Sequence, residues 1–592
     1  MWAGAEVQLE LGVIRGDYVR ACVTSVGHSE WPAIISTTLG VLFLVYLTTV
    51  LLFPKVPNII APSSSFSETG SLNSIFSGPT EALSPAVERL VADLRRATQE
   101  AERGGVPFSY TAKERERWLE RNPCRARSEL PPLYARRRVQ DVAPNPQWQA
   151  VLAEYATLHR TCVRKIANLT DYFVTGADVP GCKFMTGESL FGLGNKLTFA
   201  ASLVLYAILT QRVVLFPEWS SSMPVTMCEP FEGSSWKVPT GLEFLSKRPM
   251  SPMGVNELRS TNATDRLLAW VDLERKHWTN ASAANLAGKM YYAELDDGWQ
   301  PVDRFWCDAE QEVASHVRWM SMAGCFYFVP KLFAIPRFQP TLEALFPDKL
   351  ALTHILRSVF LPYDAAWDRV KRIDDMFLEK ADKRVSIQVR YRMGEYEHTQ
   401  LSQGVNQHIT SCLLDNGILP NVTQFFSPEL QRGLPRPAPI IKVLITSLYL
   451  DLQDHLSEMY LRHQTVTGES VGLLQLTHDD EQRWGLEPDT QALVEVILLS
   501  LSDTMLVTPL STFGGVAQAY GGLRPFIIEQ SKREGGSCVR ADSVDMCYQQ
   551  ASTTYDCPHD KRRHEKEISD VVPYIQKCMA VDSSTGVHLI TS

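Results

Sequence analysis

The chain has 592 residues, of which 45% are hydrophobic, 21% charged and 9% aromatic. This usage is typical of globular proteins and excludes a wholly disordered or fibrous chain. The formal net charge of −9 provides no general positive field for nucleic acid. A mean hydropathy of −0.12 is too low for a polytopic membrane protein. The length allows about four domains, or two large ones with tails.

The first predicted element is an uncharged apolar run, IISTTLGVLFLVYLTTVLLF, at residues 34–53. A helix of this length measures about 30 Å, the thickness of the hydrocarbon core of a bilayer. The run is longer than the core of a cleaved signal peptide, and it lacks the capping signals of a buried helix. It therefore predicts a transmembrane signal anchor at residues 34–53, behind a cytosolic tail at residues 1–33.

The charges that flank the anchor favour a cytosolic N-terminus, because Arg15 and Arg20 precede the run and only Lys55 follows it closely. The rest of the chain would then be luminal. Four N-x-[ST] sequons fit that side as glycosylation sites, at Asn168, Asn262, Asn280 and Asn421. Eleven of the twelve cysteines also follow the anchor, which predicts disulfide bonds in an oxidising lumen.

A stem is predicted at residues 54–147. It starts with a Ser-, Pro- and Gly-rich spacer that carries almost no charge. A helix is predicted next at residues 85–102, because Ser84 can cap it, Pro85 suits its first position and its apolar residues form one stripe. Sequence rich in Arg and Pro continues to about residue 147.

The globular body begins near Trp148, and its first block reads strand, glycine loop, helix, strand. Residues 183–185 are a short extended piece, and residues 191–195 are the loop. Residues 197–210 form an almost wholly apolar helix, which must be buried on nearly all sides. With the strand at residues 213–216, this block predicts a βαβ unit on a parallel sheet.

The same alternation returns after residue 383. Strands are predicted at residues 385–389, 440–445, 505–508 and 526–528, with a helix at residues 493–501. Two separated blocks of this kind predict two α/β domains, at residues 148–383 and 384–557. Residues 558–592 are assigned to a C-terminal extension.

Four polar clusters fall at predicted strand ends, where open α/β sheets bind their ligands. They are residues 192–195, Arg390, residues 446–447 and residues 511–514. A guanidinium beside backbone amides and hydroxyls suits a diphosphate. Each cluster alone also has a structural explanation as a tight turn, a surface charge or a helix cap. Composition and spacing therefore predict an anion or nucleotide site and nothing narrower.

Eight sequence motifs, in a fixed order along the chain, make the functional prediction more specific. They are GLGNKLTFAASLVLYAILTQRVVLF (192–216), CEPF with SSW (228–236), YFVPKLF with LFPDK (327–349), IQVR (387–390), ITSLY (445–449), TVTGESVGLLQLTHDD (465–480), LLSLSDTMLVTPLSTFGGVAQAYGG (498–522) and CYQQ with YDC (547–557). In these motifs the chain closely resembles the plant xyloglucan fucosyltransferase family, from about residue 153 to residue 557.

The resemblance implies a type II Golgi membrane enzyme with a luminal catalytic part and a GT-B-like α/β fold, in which two Rossmann-like domains face a cleft. It implies inverting transfer of L-fucose from GDP-fucose to the 2-hydroxyl of a galactose, in a xyloglucan-like wall polysaccharide or a glycoprotein glycan. The acceptor side is expected in the first domain and the GDP-fucose site in the second. The expected partners are GDP-fucose, the acceptor glycan and the membrane, with no nucleic acid. A homodimer stays an open alternative, because the sequence does not give the oligomeric state.

The resemblance also implies that no cofactor or metal is needed. The sequence agrees, because no acidic pair sits at a convincing strand end. The pairs at residues 296–297, 374–375 and 479–480 are interpreted as solvated faces.

Without a metal, the protein must neutralise the departing GDP, and Arg390 is predicted to take this catalytic role. The predicted donor-binding residues are Arg390, Thr446, Ser447, Tyr449, Glu495, Ser511, Thr512, Phe513, Gly514, Gly192, Leu193, Gly194 and Asn195. For Glu495 two interpretations stay open, a hydrogen-bond acceptor for guanine or a charge on a helix face. His398, His408 and His478 are the candidates for a general base, and the sequence assigns the role to none of them.

Two departures from the family pattern leave the acceptor open. Lys196 stands where arginine is usual, and the segment after Arg390, which contains Arg392, is unlike the usual one. If that segment touches the acceptor, an arabinogalactan-type or other glycan replaces xyloglucan. The further alternatives are a protein O-fucosyltransferase, a transferase for another GDP-sugar, and a catalytically silent glycan-binding protein on the same fold.

Overall fold

A computed structural model of the chain describes residues 82–103, 110–165, 180–189, 191–218, 222–238, 290–294, 305–390, 398–423, 437–477, 485–528, 538–579 and 585–591. The predicted anchor at residues 34–53 and the sequons at Asn168, Asn262 and Asn280 lie outside these ranges. Within them, no helix is long and apolar enough to cross a membrane. From residue 83 onward the described residues belong to one compact unit, Leu83–Ser592.

Four helices come before the first strand in the described ranges. They are α1 (Pro85–Glu102), α2 (Ala112–Arg121), α3 (Ala126–Ala135) and α4 (Pro146–Lys165). The predicted helix at residues 85–102 is confirmed as α1, and the Ser84 side chain caps it by accepting a hydrogen bond from the Val87 N–H. Its buried stripe packs against α4.

The described part of the predicted stem is packed against the body. The buried Arg137 guanidinium donates to the carbonyls of Ser500 and Gly521, at 3.1 and 2.7 Å. The Tyr134 hydroxyl lies 2.9 Å from Ser500 Oγ. Residues 83–103 and 110–147 therefore share the compact unit of the body, and the side chains of Tyr134 and Arg137 are hydrogen-bonded to buried groups of that body.

The first sheet has four parallel strands in the order β2-β1-β4-β3. Its elements in chain order are β1 (Lys183–Glu188), α5 (Leu193–Leu209), β2 (Arg212–Leu215), α6 (Met223–Thr226), β3 (Met290–Glu294), α7 (Asp308–Ser315) and β4 (Trp319–Ala323). The predicted βαβ unit is confirmed as β1, α5 and β2, and α5 is buried along nearly its whole length. The predicted loop at residues 191–195 is too long, because Gly192 is the N-cap and the helix already begins at Leu193.

The connection to the second sheet is helical. It consists of α8 (Val329–Phe333), α9 (Gln339–Leu345), α10 (Ala351–Val359), α11 (Asp364–Ile373) and a π-helical segment, Asp374–Leu378. The prediction of a solvated acidic pair at residues 374–375 is wrong for Asp374, which is only 1% exposed. Arg136 pairs with the Asp374 carboxylate at 2.5 Å and Lys371 at 3.4 Å, so its charge is compensated where it is buried. Asp375 is exposed.

The second sheet has six strands in the order β10-β9-β8-β5-β6-β7, with β10 antiparallel to its neighbour. Its elements are β5 (Lys383–Gln388), α12 (His398–Asp415), β6 (Ile440–Thr446), α13 (Asp451–Arg462), β7 (Ser470–Gln475), α14 (Leu486–Ser500), β8 (Thr504–Val507), α15 (Thr512–Gly521), β9 (Phe526–Ile528) and β10 (Cys538–Arg540). The strand order reverses between the adjacent strands β5 and β8, which creates a crevice at their carboxyl ends.

A third, antiparallel sheet follows, and the sequence did not predict it. Its elements are β11 (Tyr548–Ser552), α16 (Ile568–Val571), β12 (Ile575–Lys577) and β13 (Thr585–Leu589), with the strand order β11-β13-β12. The Cys307–Cys557 disulfide ties this region to the first block. Disulfide bonds, expected from the cysteine content, also join Cys124–Cys228, Cys162–Cys182, Cys412–Cys538 and Cys547–Cys578. The molecule is an α/β protein with parallel, mixed and antiparallel sheets.

Candidate functional site

Two helices begin at the points where the strand order reverses in the first and second sheets. α5 starts directly after β1, where Phe191 adopts a positive φ of 80° and Gly192 is the extended N-cap. α15 starts directly after β8, where Leu510 has a φ of 59° and Ser511 is the N-cap. These left-handed residues turn the chain sharply from strand into helix, so both helix N-termini lie at the carboxyl ends of their strands.

The two helix N-termini touch each other. Thr512 Oγ1 donates to Asn195 Oδ1 at 2.5 Å, across a separation of 317 residues. A Cβ atom on Gly194 would lie 2.8 Å from both the Phe513 nitrogen and Thr512 Oγ1, so only glycine fits without movement. Two of the clusters predicted from the sequence, residues 192–195 and 511–514, are therefore brought together by the fold.

This junction favours an anion. The first turns of α5 and α15 contain no acidic residue. Their unpaired backbone N–H groups and the helix dipoles give each N-terminus a partial positive charge. Ser511 does cap its helix, accepting a hydrogen bond from the Gly514 N–H at 3.5 Å. Ser511, Thr512 and Phe513 are half-buried and Gly514 is buried.

Arg390 lies beside this junction, two residues after β5. Its backbone N–H donates to Thr508 Oγ1 at 3.2 Å, and the Thr508 hydroxyl donates to Gln388 Oε1 at 3.3 Å. Gln388 in turn faces α15, since a Cβ on Gly514 would lie 2.7 Å from its Oε1. The backbone of Arg390 is thus held at the crevice between β5 and β8, and its side chain is exposed.

On the other side of β5, the predicted residues after β6 belong to a buried polar network that the sequence did not reveal. Gln475 Nε2 donates to the carbonyls of Ser447, Tyr449 and Thr477, at 2.9, 3.1 and 2.8 Å. The Thr477 hydroxyl donates to the Glu495 carboxylate, which also accepts from Gln491 Nε2 at 3.0 Å.

Glu495 is only 3% exposed, so the alternative of a charge on a solvated helix face does not hold. Thr446 Oγ1 is buried and has no hydrogen-bond partner. Ser447 Oγ accepts from the Tyr449 N–H at 3.2 Å. The predicted residues on β6 and α14 are therefore linked, through Gln475 and Thr477, along the same edge of the sheet.

A buried ion pair, also unpredicted, connects α5 to α14. Lys196 Nζ lies 2.7 Å from Asp489 Oδ2, and the two side chains are 10% and 3% exposed. The Ser222 hydroxyl donates to the same carboxylate. Because Lys196 follows Asn195 directly, this pair positions the N-terminus of α5 against the second block. The sequence signal was the lysine in place of the usual arginine, without any indication of its partner.

Of the three candidate histidines, the structure describes the side chain of His408 alone. It is half-buried, and its Nε2 has no hydrogen-bond partner. The side chain of His398 and residue His478 lie outside the described part of the chain, as does Arg392. In the described ranges no group of three or more His, Cys, Asp or Glu side chains is placed to hold a metal ion. Asn421 is exposed.

The family model described as xyloglucan fucosyltransferase matches residues 118–558. The chain belongs to the xyloglucan fucosyltransferase family. The match spans the first and second sheets and every predicted donor-binding residue, and it makes the protein a fucosyltransferase. The acceptor is not determined by family membership.

Individual relatives agree with this assignment. Fucosyltransferase 2 of Arabidopsis thaliana is 30% identical over 469 residues, which cover 77% of this chain and 83% of the relative. A galactoside 2-alpha-L-fucosyltransferase of Pisum sativum is 32% identical over 418 residues, covering 69% of each chain. Among solved structures, a mutant of Arabidopsis thaliana FUT1 in complex with GDP has 27% identity and a TM-score of 0.64. That match covers 80% of this chain and 97% of the FUT1 chain.

Proposed function

We propose that this fucosyltransferase moves L-fucose from GDP-fucose to the 2-hydroxyl of a galactose in a glycan, with inversion at the anomeric carbon and without a metal. The observation that carries the proposal is the junction of residues 192–195 with residues 511–514, beside Arg390. The names of the relatives support the reaction, since the Pisum sativum protein is a galactoside 2-alpha-L-fucosyltransferase and the FUT1 structure holds GDP.

The proposed architecture is GT-B-like, with the two Rossmann-like sheets facing one cleft. Two observations support it. Both sheets place a helix N-terminus at a strand-order reversal, and these N-termini meet. The second sheet would hold GDP-fucose, and the first would present the acceptor.

In this arrangement the diphosphate lies at the N-termini of α15 and α5. The amides and hydroxyls of residues 511–514 cradle it, and the residues 192–195 face it across the cleft. The Arg390 guanidinium stabilises the negative charge that develops on the β-phosphate as the bond to fucose C1 breaks. The acceptor oxygen attacks C1 from the face opposite the departing GDP, which inverts the anomeric centre, and the hydroxyl proton passes to solvent water.

The nucleoside of GDP would extend along the sheet from β5 towards β6 and β7. Thr446, Ser447 and Tyr449 lie at that edge, and Glu495 joins them through Thr477 and Gln475. A buried carboxylate and an unpartnered threonine hydroxyl suit the N–H and O–H donors of guanine and ribose. No described residue is assigned as the general base.

The proposed setting is the Golgi membrane. Residues 34–53 would anchor the chain with its catalytic part in the lumen, where sequons become glycosylated and disulfides form. The five disulfides of the described region support an oxidising compartment. The proposal leaves the oligomeric state open, with a homodimer as one alternative.

Activity of the full-length protein tests the function. We expect transfer from GDP-fucose, little or none from other GDP-sugars, and no loss of rate in EDTA. Xyloglucan, arabinogalactan and N-glycan acceptors, offered in parallel, identify the glycan, and NMR of the product identifies the linkage as α1→2 to galactose. Binding of a glycan without turnover of any donor would instead support a silent glycan-binding protein.

A further inference from the structure

The segment at residues 543–546 lies directly behind α15, the helix whose N-terminus forms half of the junction. Gln518 Nε2 on α15 donates to the carbonyls of Val544 and Asp545, at 2.7 and 3.3 Å. One turn earlier, a Cβ on Gly515 would lie 2.9 Å from Met546 Cε. The position of α15 therefore depends on the position of this segment.

The Asp545 side chain connects that segment to two other parts of the molecule. Its Oδ1 accepts from the Tyr327 hydroxyl at 2.6 Å, and its Oδ2 accepts from the Leu589 N–H on β13 at 2.9 Å. Tyr327 lies between β4 of the first sheet and α8, and the next residue, Phe328, donates its N–H to Ser202 Oγ on α5 at 3.1 Å. Asp545 thus joins three parts of the molecule: its carboxyl group contacts Tyr327 and β13, and its backbone carbonyl contacts α15.

The pKa of this carboxyl group lies near neutral pH. Burial raises the pKa of Asp545 to about 7, against the opposing effects of Tyr327, Leu589 and His588. The titratable side chains that face it are Tyr327 and His588, and His588 Nε2 itself lies 3.5 Å from Asp542 Oδ2. On α15 the facing residue is the neutral Gln518. A carboxylate can accept from both Tyr327 and Leu589, whereas a carboxylic acid carries a proton on one oxygen and can keep only one such bond unchanged.

We propose that Asp545 is a positioning residue of the transferase, whose carboxylate holds α15 against α5 so that the amides of residues 512–514 stay aimed at the donor diphosphate. The proposal rests on the proposed function for its ligand. It adds a residue that lies behind the site and acts through α15 and Tyr327 without touching the donor.

The test is the affinity of the full-length protein for GDP, measured by calorimetry at pH 6 and pH 8, together with turnover of GDP-fucose. Because the terminal phosphate of GDP itself titrates near pH 6, the quantity to compare at each pH is the ratio of the variant Kd to the wild-type Kd. For Asp545→Asn we expect a ratio of roughly ten at pH 8. At pH 6, where the wild-type group is protonated as well, we expect a ratio near one. A merely structural defect would weaken binding equally at both values.

Two further variants complete the experiment. Tyr327→Phe removes one donor and should also weaken GDP binding more at pH 8 than at pH 6, which keeps the proposal testable if Asp545→Asn fails to fold. Asp375→Asn makes the same chemical change at an exposed site and should leave the ratio near one.

The outcomes separate the two proposals. A wild-type protein that neither binds GDP nor uses GDP-fucose would overturn the proposed function and this inference with it. A wild type that does both, with folded Asp545→Asn and Tyr327→Phe proteins that match it at both pH values, would overturn the inference alone.

Discussion

Lys196 and Asp489 are buried together, and each compensates the other's charge. Lys196→Met would leave the Asp489 carboxylate without its cation, and loss of one partner of a buried pair costs about 3–5 kcal/mol. We therefore expect a large fall in the urea midpoint of unfolding. Lys196→Arg should lose far less, because the charge is kept.

The matched control is Arg462→Met, which breaks an exposed pair between Arg462 and Glu458. It should change stability by less than about 1 kcal/mol. If Lys196→Met unfolds at the same urea concentration as Arg462→Met, the buried pair does not stabilise the packing of α5 against α14.

At the residue scale, the sequence located the candidate groups better than their partners. Arg390 and residues 511–514 are predictable because each follows a recognisable strand. Asp489, the partner of Lys196, is 293 residues away in the sequence, and no local pattern predicts such a contact. Gln475 carries no signal in the sequence, because a glutamine at a strand end is common and its three carbonyl partners come from the tertiary fold.

The contact between α5 and α15 is an element-scale feature that depends on one missing side chain. In Gly194→Ala the new Cβ would meet backbone and side-chain atoms of Thr512 and Phe513 at 2.8 Å. The two helix N-termini must then move apart, at a cost of about 1–3 kcal/mol. We expect a higher KM for GDP-fucose and a lower kcat, measured by steady-state kinetics.

The control for that substitution is Gly404→Ala on α12, where a Cβ would meet nothing within 4 Å. Alanine favours a helix over glycine by about 0.5–1 kcal/mol, so this variant should be as active and slightly more stable. Equal kinetics for the two variants would show that the helix junction is not part of the donor site.

Long elements with a clear period were predictable, and short ones were not. α1 has the predicted bounds because a cap, a proline and an apolar stripe all specify the same helix. The strands β11 to β13 have only three to five residues each. Both β11 and β12 pair with β13. Such pairing is set by tertiary contacts, so a period of two over so few residues does not reveal it.

At the scale of the whole molecule, the Cys307–Cys557 disulfide links the segment before α7 to the segment after β11, 250 residues later in the chain. Its removal in a Cys307→Ser and Cys557→Ser double variant should cost about 2–5 kcal/mol, mainly through the freedom gained by the unfolded chain. The Cys162–Cys182 disulfide closes only 20 residues, so its removal should cost less. Thermal unfolding of the two double variants makes the comparison, and a larger loss for the shorter loop would contradict the account.

The central claim is that GDP-fucose reacts at the junction of α5 and α15, with its departing diphosphate neutralised by Arg390. Its most direct test is the kcat for transfer from GDP-fucose by the full-length Arg390→Ala protein. Arg540→Ala serves as the control, since it removes an exposed arginine on β10. We predict that folded Arg390→Ala loses roughly a hundred- to a thousandfold in kcat, while Arg540→Ala keeps wild-type turnover. An Arg390→Ala enzyme that retained most of its activity would contradict the claim.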